Sequence, residues 1–244
     1  MSDVVIREVT KDVWTFSKPF SRLGFLRIGG RSTAIKLKTG DVWVLASTPL
    51  TPETKTTIDS LGPVKYIVGA DSVHHLYLGE FHKAYPEARL VAVEEAVQKK
   101  NHEKLNWHGW WGDKNQEPTF GFEDEIKHVY FSGFKNKDVA FLHTESKTLI
   151  VADLLFNLPA IEQYKNSWFG SGVPGLNLLF GNASPYTGIH QMMTKSLGVG
   201  PDAMRRDAKA VAEWDFTRVI PCHGDVIESD GNKAWRSAFS HWLN

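Results

Sequence analysis

The alternation of helix-like and strand-like stretches between Thr51 and Lys100 is the tightest constraint this chain places on its own fold. In "TPETKTTIDSLG", Thr51 can cap a helix, Pro52 suits its first turn and Gly62 suits its stop. "VKYIVG" then reads as a strand and "LYLGEFHKAY" as a helix, with Pro86 breaking it. "ARLVAV" is a second strand, and Glu94 to Lys100 a further short helix. Helices placed between strands are crossovers, so these strands are expected to run parallel in a sheet covered by helices.

The flanking stretches add more strands. "VVIREV", "VWTFS", "FLRIG", "TAIKLKTG" and "DVWVLAS" are rich in β-branched and aromatic residues, and Thr39-Gly40-Asp41 offers a hairpin turn between the last two. Residues 101–123 show no clear period and carry three tryptophans. "IKHVYFSG", "DVAFLH" and "TLIVAD" return to strands. Residues 154–199 read as loop and helix, and their "GSGVPG" matches no phosphate-cradling spacing. "PDAMRRDAKAVAEW" is an amphipathic helix, "FTRVIPCHGD" a strand ending in a polar turn, and "NKAWRSAFSHWL" a closing helix with Trp235, Phe239 and Trp242 on one face. Each half runs from strands to helices. Two mixed sheets back to back with helices outside, a four-layer αββα sandwich of the α+β class, bury both strand sets in one domain spanning 1–244.

Composition narrows the function classes. Lysine plus arginine and aspartate plus glutamate are equal at 28 each, so no net field favours nucleic acid or an anionic membrane. No run approaches the ~18 apolar residues of a membrane span. Cys222 is the only cysteine, which excludes an intrachain disulfide and fits a reducing compartment. The expectation is a cytoplasmic protein with a small-molecule partner; its oligomeric state is not legible.

Three strand ends carry residues of ligand type: Asp71, His74 and His75 after "YIVGA", Asp153 after "TLIVA", and His223 with Asp225 after "RVIPC". Ligands collect at the carboxyl ends of strands in open α/β sheets. Imidazole and carboxylate together suit zinc, iron or manganese. Each residue also has an ordinary use: a histidine at a helix start, an aspartate capping a turn, a histidine holding a tight turn.

With these stretches in view, the chain resembles the metallo-β-lactamase superfamily, and within it a divergent branch of lactamase-like proteins of unknown function. "TAIKLKTGDVWVLAS", "LGPVKYIVGADSVHHLYLGEFHKAYPEARLVA", "SKTLIVADLLFN" and "VIPCHGD" carry the resemblance over most of the fold outline. The superfamily places His-x-His-x-Asp-His in the second stretch, then a separate histidine, an aspartate after a strand and a final histidine. Counted back from Pro86, His74 falls on the motif's last histidine, Val73 on its aspartate, and Asp71 and Gly69 on the earlier histidines. No histidine stands near Ser132–Phe134, where the separate one is expected. Asp153 matches the bridging aspartate and His223 the final histidine; a slip of one residue substitutes His75 for His74. The resemblance therefore implies a degenerate motif with ligands enough for one divalent metal, zinc or iron, and not for two.

Other residues are weaker candidates. Asp71 and His143, the latter ending "DVAFLH", could serve as a fourth ligand or as a base. Cys222 and His223 are adjacent, so on an extended backbone their side chains diverge and a buried inert thiol is expected. Trp107, Trp110 and Trp111 could form a lid or wall over an apolar substrate, with Tyr164 and Trp168 as further lining, or the loop could simply pack on the core.

Two functional readings follow. One is a hydrolase acting on a small ester, thioester or lactone through a single metal at His74 (or His75), Asp153 and His223. The other is a metal-free protein of the same fold that binds an apolar small molecule. An iron-dependent redox enzyme on the same ligands is a third possibility.

Overall fold

The computed structural model describes residues 3–112, 118–168, 170 and 183–244; of "GSGVPG" only Gly170 falls within this range. Two strands, β1 (Val5–Thr10) and β2 (Val13–Lys18), form a hairpin. A small two-residue ribbon follows, β3 (Ser21–Arg22) with β4 (Leu26–Arg27), standing outside the main sheets where "FLRIG" reads as a strand. Next come β5 (Gly30–Lys36), β6 (Val42–Leu45), α1 (Pro52–Leu61), β7 (Val64–Val68), α2 (Leu78–Ala84), β8 (Arg89–Val93), α3 (Glu94–Lys99) and β9 (Trp107–Trp111). The second half holds β10 (Ile126–Tyr130), β11 (Val139–His143), β12 (Thr148–Val151), α4 (Gly188–Leu197), α5 (Pro201–Ala212), β13 (Arg218–Pro221), α6 (Gly231–Ala238) and α7 (Ser240–Leu243).

Local chemistry sets the boundaries of the crossover region. Thr51 Oγ1 accepts the Thr54 N–H at 3.3 Å, Pro52 opens α1, and Gly62 ends it. A Cβ at Gly62 would lie 2.1 Å from the Gly40 carbonyl oxygen, so the helix stop and the hairpin turn require glycine together. The strands β6, β7, β8 and β9 are mutually parallel, whereas β1, β2, β5 and β6 are antiparallel neighbours. The first sheet has the order β1-β2-β5-β6-β7-β8-β9, and the second β10-β11-β12-β13, with only β12 and β13 parallel.

The four layers show in the alternation of β11 and β12. Val139, Phe141 and Ile150 face the first sheet and join Trp43, Ile67 and Val91 in one core. Ala140, Leu142, Leu149 and Val151 face the other way, into a second core with Met204, Val211, Trp235 and Phe239 from α5 to α7. A strand buried on both faces reads as a near-continuous apolar run, as "LIV" of β12 does. The closing segment bends at Phe239 into two helices, and Trp235 still stacks on Phe239 with ring centroids 4.0 Å apart. Fully burying such a ring contributes ~2–3 kcal/mol. Among the described residues, no helix is long and apolar enough to cross a membrane.

The tryptophan segment corrects the sequence reading. "WHGWW" is an edge strand, not a loop: Trp111 is buried against Phe120 and Phe141, while Trp110 points outward. Gly109 admits the ring of Phe120, whose nearest atom would be 2.8 Å from a Cβ there. Bulky residues on both faces of a strand, with a glycine between them, hide the period of two.

Candidate metal centre

After β7, residues 69–77 form a loop that crosses to the second sheet. Ser72 donates its N–H to the Asn136 carbonyl and Val139 its N–H to the Ala70 carbonyl, both at 2.9 Å. Asp71 is fully buried there. Its Oδ1 accepts the N–H groups of Val73 and His74 at 2.7 Å each, an Asx turn, and its Oδ2 lies 2.9 Å from His74 Nδ1. In the neutral form of the ring, a proton on Nδ1 can be donated to Asp71, and Nε2 then presents a lone pair.

The second sheet supplies the facing groups. Because β12 and β13 run parallel, Asp153 and the Cys222–His223 turn emerge side by side. Asp153 donates its N–H to Asp138 Oδ2 at 2.7 Å, and Asn136 Nδ2 donates to Asp153 Oδ2 at 2.5 Å. His223 Nδ1 donates to the Gly29 carbonyl at 2.6 Å, which again leaves Nε2 as the free nitrogen. The rings of Phe20 and Phe156 pack on His223 at centroid distances of 6.1 and 4.8 Å. Buried Arg31 holds the turn from behind, donating to the Pro221 and Gly224 carbonyls at 2.6 Å each and to Glu162 at 3.1 Å. Gln163 adds a donation to the Cys222 carbonyl at 2.7 Å and accepts the Gly224 N–H at 2.9 Å.

These supports bring His223 Nε2 close to a second ring nitrogen and to a carboxylate oxygen. His74 Nε2 and His223 Nε2 lie 3.1 Å apart, and His223 Nε2 lies 3.3 Å from Asp153 Oδ1. That oxygen is buried and, despite the short contact, makes no directed hydrogen bond. Two imidazole lone pairs at 3.1 Å repel unless a cation sits between them, and an orphaned buried carboxylate oxygen calls for the same thing. Two nitrogens and an oxygen so placed fit one divalent ion.

The electrostatics favour positive charge at this place, whether a proton or a metal ion supplies it. Burial opposes charge on His74, but Asp71, with Cys222 and Asp153, outweighs it and holds the imidazole well above its ordinary value. Burial likewise opposes charge on His223, and Cys222 and Asp153 raise it. Burial would raise Asp153; His74 and His223 pull it below the usual carboxylate range. Asp138 is pushed well up by burial and by the charges of Asp71 and Asp153. Burial pushes the Cys222 thiol up, and the His74 and His223 charges bring it down to about 7.

Two sets of donor atoms lie mutually within 4.8 Å, His74–Cys222–His223 and Asp71–His74–Asp153. Asp71, His74, Asp153 and His223 are thus gathered at one place. His75 is not in either set; it is half-buried beside Lys99 and Lys100, and burial and those charges lower its value. His143 lies at the opposite end of the sheet, because β11 runs antiparallel to β12 and its carboxyl end pairs with Thr148, the start of β12. Trp107, Trp110 and Trp111 stay on β9 at the far edge of the first sheet. Tyr164 is buried, donating to the Phe20 carbonyl at 2.6 Å, and Trp168 is 95% exposed. None of these five aromatic residues borders the cavity at the cluster. Cys222 also departs from expectation: β13 ends at Pro221, so strand alternation no longer applies and its sulfur points to the same place as His223.

Gly69, where the resemblance puts a histidine, is closely packed. A Cβ there would lie 2.8 Å from Leu78 Cδ1 and 3.1 Å from Ala92 Cβ, so Leu78 would have to shift to admit a side chain. Asn136 and Asp138, which hold Asp153, were not singled out by the sequence reading. The turn "KNKD" carrying them was the available signal.

The cluster opens into a cavity of about 260 Å³. Phe20, Ile28, Val73, Leu76 and Tyr77 give it apolar walls, and Lys18 and Arg22 bring positive charge.

The sequence of residues 10–164, more than half of the chain, matches a domain of unknown function (DUF4336). The chain belongs to the DUF4336 family. The match ends before Cys222 and His223. No curated protein matches the chain. Among solved structures, a metallo-β-lactamase from Erythrobacter litoralis with β-mercaptoethanol in its active site superposes with a TM-score of 0.63 at 13% identity, covering 99% of this chain and 97% of that one. A metallo-β-lactamase from Pontibacter korlensis gives 0.61 at 14% identity over 99% of each chain. FIM-1 from Pseudomonas aeruginosa, in its mono-zinc form, gives 0.58 at 12% identity over 99% and 97%. This DUF4336 member therefore has the metallo-β-lactamase fold.

Proposed function

We propose that the chain is a metal-dependent hydrolase acting on a small ester, thioester or lactone, with one divalent ion, zinc or iron, held by His74 Nε2, Asp153 Oδ1 and His223 Nε2. The observation that carries this reading is the pair of bare imidazole nitrogens facing each other at 3.1 Å beside an orphaned buried carboxylate oxygen. That a neighbour of the same fold has a mono-zinc form supports a single-ion site.

A divalent ion there supplies a Lewis acid that polarises a carbonyl and strengthens water as a nucleophile at neutral pH. The chain's residues do the rest. Asp71 fixes the tautomer and tilt of His74, and the Gly29 carbonyl does the same for His223. Asn136 occupies the second oxygen of Asp153 and so turns the first toward the imidazoles. The apolar walls take the acyl or alkyl part of the substrate and exclude water from around it.

Elemental analysis of the purified protein after reloading tests the reading. About one ion per chain is expected, with loss in Asp153→Ala and His223→Ala and parallel loss of ester hydrolysis. Wild-type protein that stays substoichiometric would sink the metal. A second reading has one specific support: the raised value of His74 means that a proton shared between the two Nε2 atoms also relieves their repulsion. The chain is then a metal-free binder of an apolar ligand in the same cavity, and chelator leaves its melting temperature unchanged.

A further inference from the structure

The sequence pattern that matches His74, Asp153 and His223 assigns nothing to Cys222, yet the sulfur sits beside two of those donors. Sγ lies within 4.8 Å of a ring nitrogen of both His74 and His223, and Cys222 borders the same cavity while only 3% exposed. The backbone holds it there deliberately. Its N–H donates to the Val151 carbonyl at 2.9 Å, its carbonyl accepts from Gln163, and Arg31 clamps the carbonyls of Pro221 and Gly224 around it. Its Sγ donates to the Arg31 carbonyl at 3.3 Å. A cysteine alone would say little. Here the orphaned Asp153 Oδ1 and the two opposed Nε2 atoms independently mark the point at which a cation is wanted.

We propose that Cys222 Sγ is the fourth donor to that cation, making a set of two nitrogens, one oxygen and one sulfur. This rests on the single-ion reading above and adds to it a choice of metal. A thiolate donor favours thiophilic divalent ions, zinc foremost with cobalt and cadmium as surrogates, and disfavours magnesium and manganese, which prefer oxygen. It also makes Cys222 unreactive toward alkylating agents when the site is loaded, since the thiolate is then engaged.

Cobalt(II) is the probe. The apoprotein is prepared with a phosphine reductant, so that no external thiol is present, and titrated with cobalt while the near-ultraviolet and visible spectra are recorded. Because Cys222 is the only cysteine in the chain, a sulfur-to-cobalt charge-transfer band in the wild type, saturating at about one ion per chain, can come from no other residue of that chain. The band is expected in the wild type and absent from C222S and C222A. Those variants are expected to bind cobalt at least ~10-fold more weakly, at or beyond the low end of what loss of an outer-shell partner costs. Zinc is expected to protect wild-type Cys222 from iodoacetamide, and magnesium is not. Wild-type protein that binds cobalt stoichiometrically without the band overturns the sulfur ligand and leaves the three-donor site standing. Wild-type protein that takes up neither cobalt nor zinc overturns both. The wild-type spectrum decides the matter even if both variants fail to fold.

Discussion

The two ends of the second sheet carry similar residues and differ in what those residues leave unsatisfied. At one end, Asp153 and His223 meet Asp71 and His74, and Oδ1 of Asp153 and two Nε2 atoms point at a common spot without a partner that suits them all. At the other, His143 sits near Glu125, Glu145 and Lys38, also a histidine among acids. There, His143 Nδ1 is 2.8 Å from Ser146 Oγ, Lys38 pairs with Glu145 at 3.2 Å, and Glu125 accepts the Lys38 N–H. Burial lowers His143, which keeps its ring neutral. The comparison teaches that residue type does not make a site. Strand direction decides which end a residue reaches, and a shortage of partners decides whether something else is wanted there.

Four perturbations sharpen or break this contrast. The largest effect is expected at Arg31, which ties the His223 turn to the first sheet. Arg31→Met leaves Glu162 with fewer partners and frees two carbonyls, and should cost ~3–5 kcal/mol in denaturant unfolding. Lys38→Ala at the opposite end should stay within ~0.5 kcal/mol. Equal effects at both ends would remove the asymmetry.

Next comes acid. His190 Nε2 accepts the Phe156 N–H at 2.8 Å, and Phe156 packs on His223. Burial lowers His190 from 6.5 to about 4. Above pH 6.5 both folded and unfolded states keep it neutral. As pH falls from 6.5 through about 4, the unfolded chain binds a proton that the native ring refuses, so stability declines. The total is about 3 kcal/mol, read as the pH slope of the unfolding free energy. His190→Gln should flatten that slope, and an unchanged slope would locate the acid sensitivity elsewhere.

Asn136→Ala should weaken metal binding by ~10- to 100-fold by releasing Asp153, with little change in fold. The smallest effect belongs to His143→Gln: about 1 kcal/mol of stability at most, and unaltered metal stoichiometry. A loss of metal in that variant would break the comparison outright.

Much of this contrast was legible in the residues, and the failures have local causes. The cap and stop of α1 were readable because Thr51, Pro52 and Gly62 each have one strong preference. The positions of Asp71, Asp153 and His223 at strand ends were legible because each follows an apolar strand. His143 misled because its strand's direction is a tertiary fact: nothing within "DVAFLH" says which end of the sheet it reaches. Cys222 escapes the alternation rule because β13 ends one residue before it. Trp107, Trp110 and Trp111 misled because a strand with large rings on both faces has no visible period. Asn136 and Asp138 act through Asp153, and a supporting residue declares itself only when its partner's position is known.

The pairing of β12 with β13 has a consequence in time. Cys222 and His223 follow β13, and that strand must slot in beside β12, from which α4 and α5 separate it in sequence. Until β13 docks, Asp71, His74 and Asp153 lack the corner that the proposed site needs. Uptake of the proposed ion would therefore report that β13 has found its place beside β12.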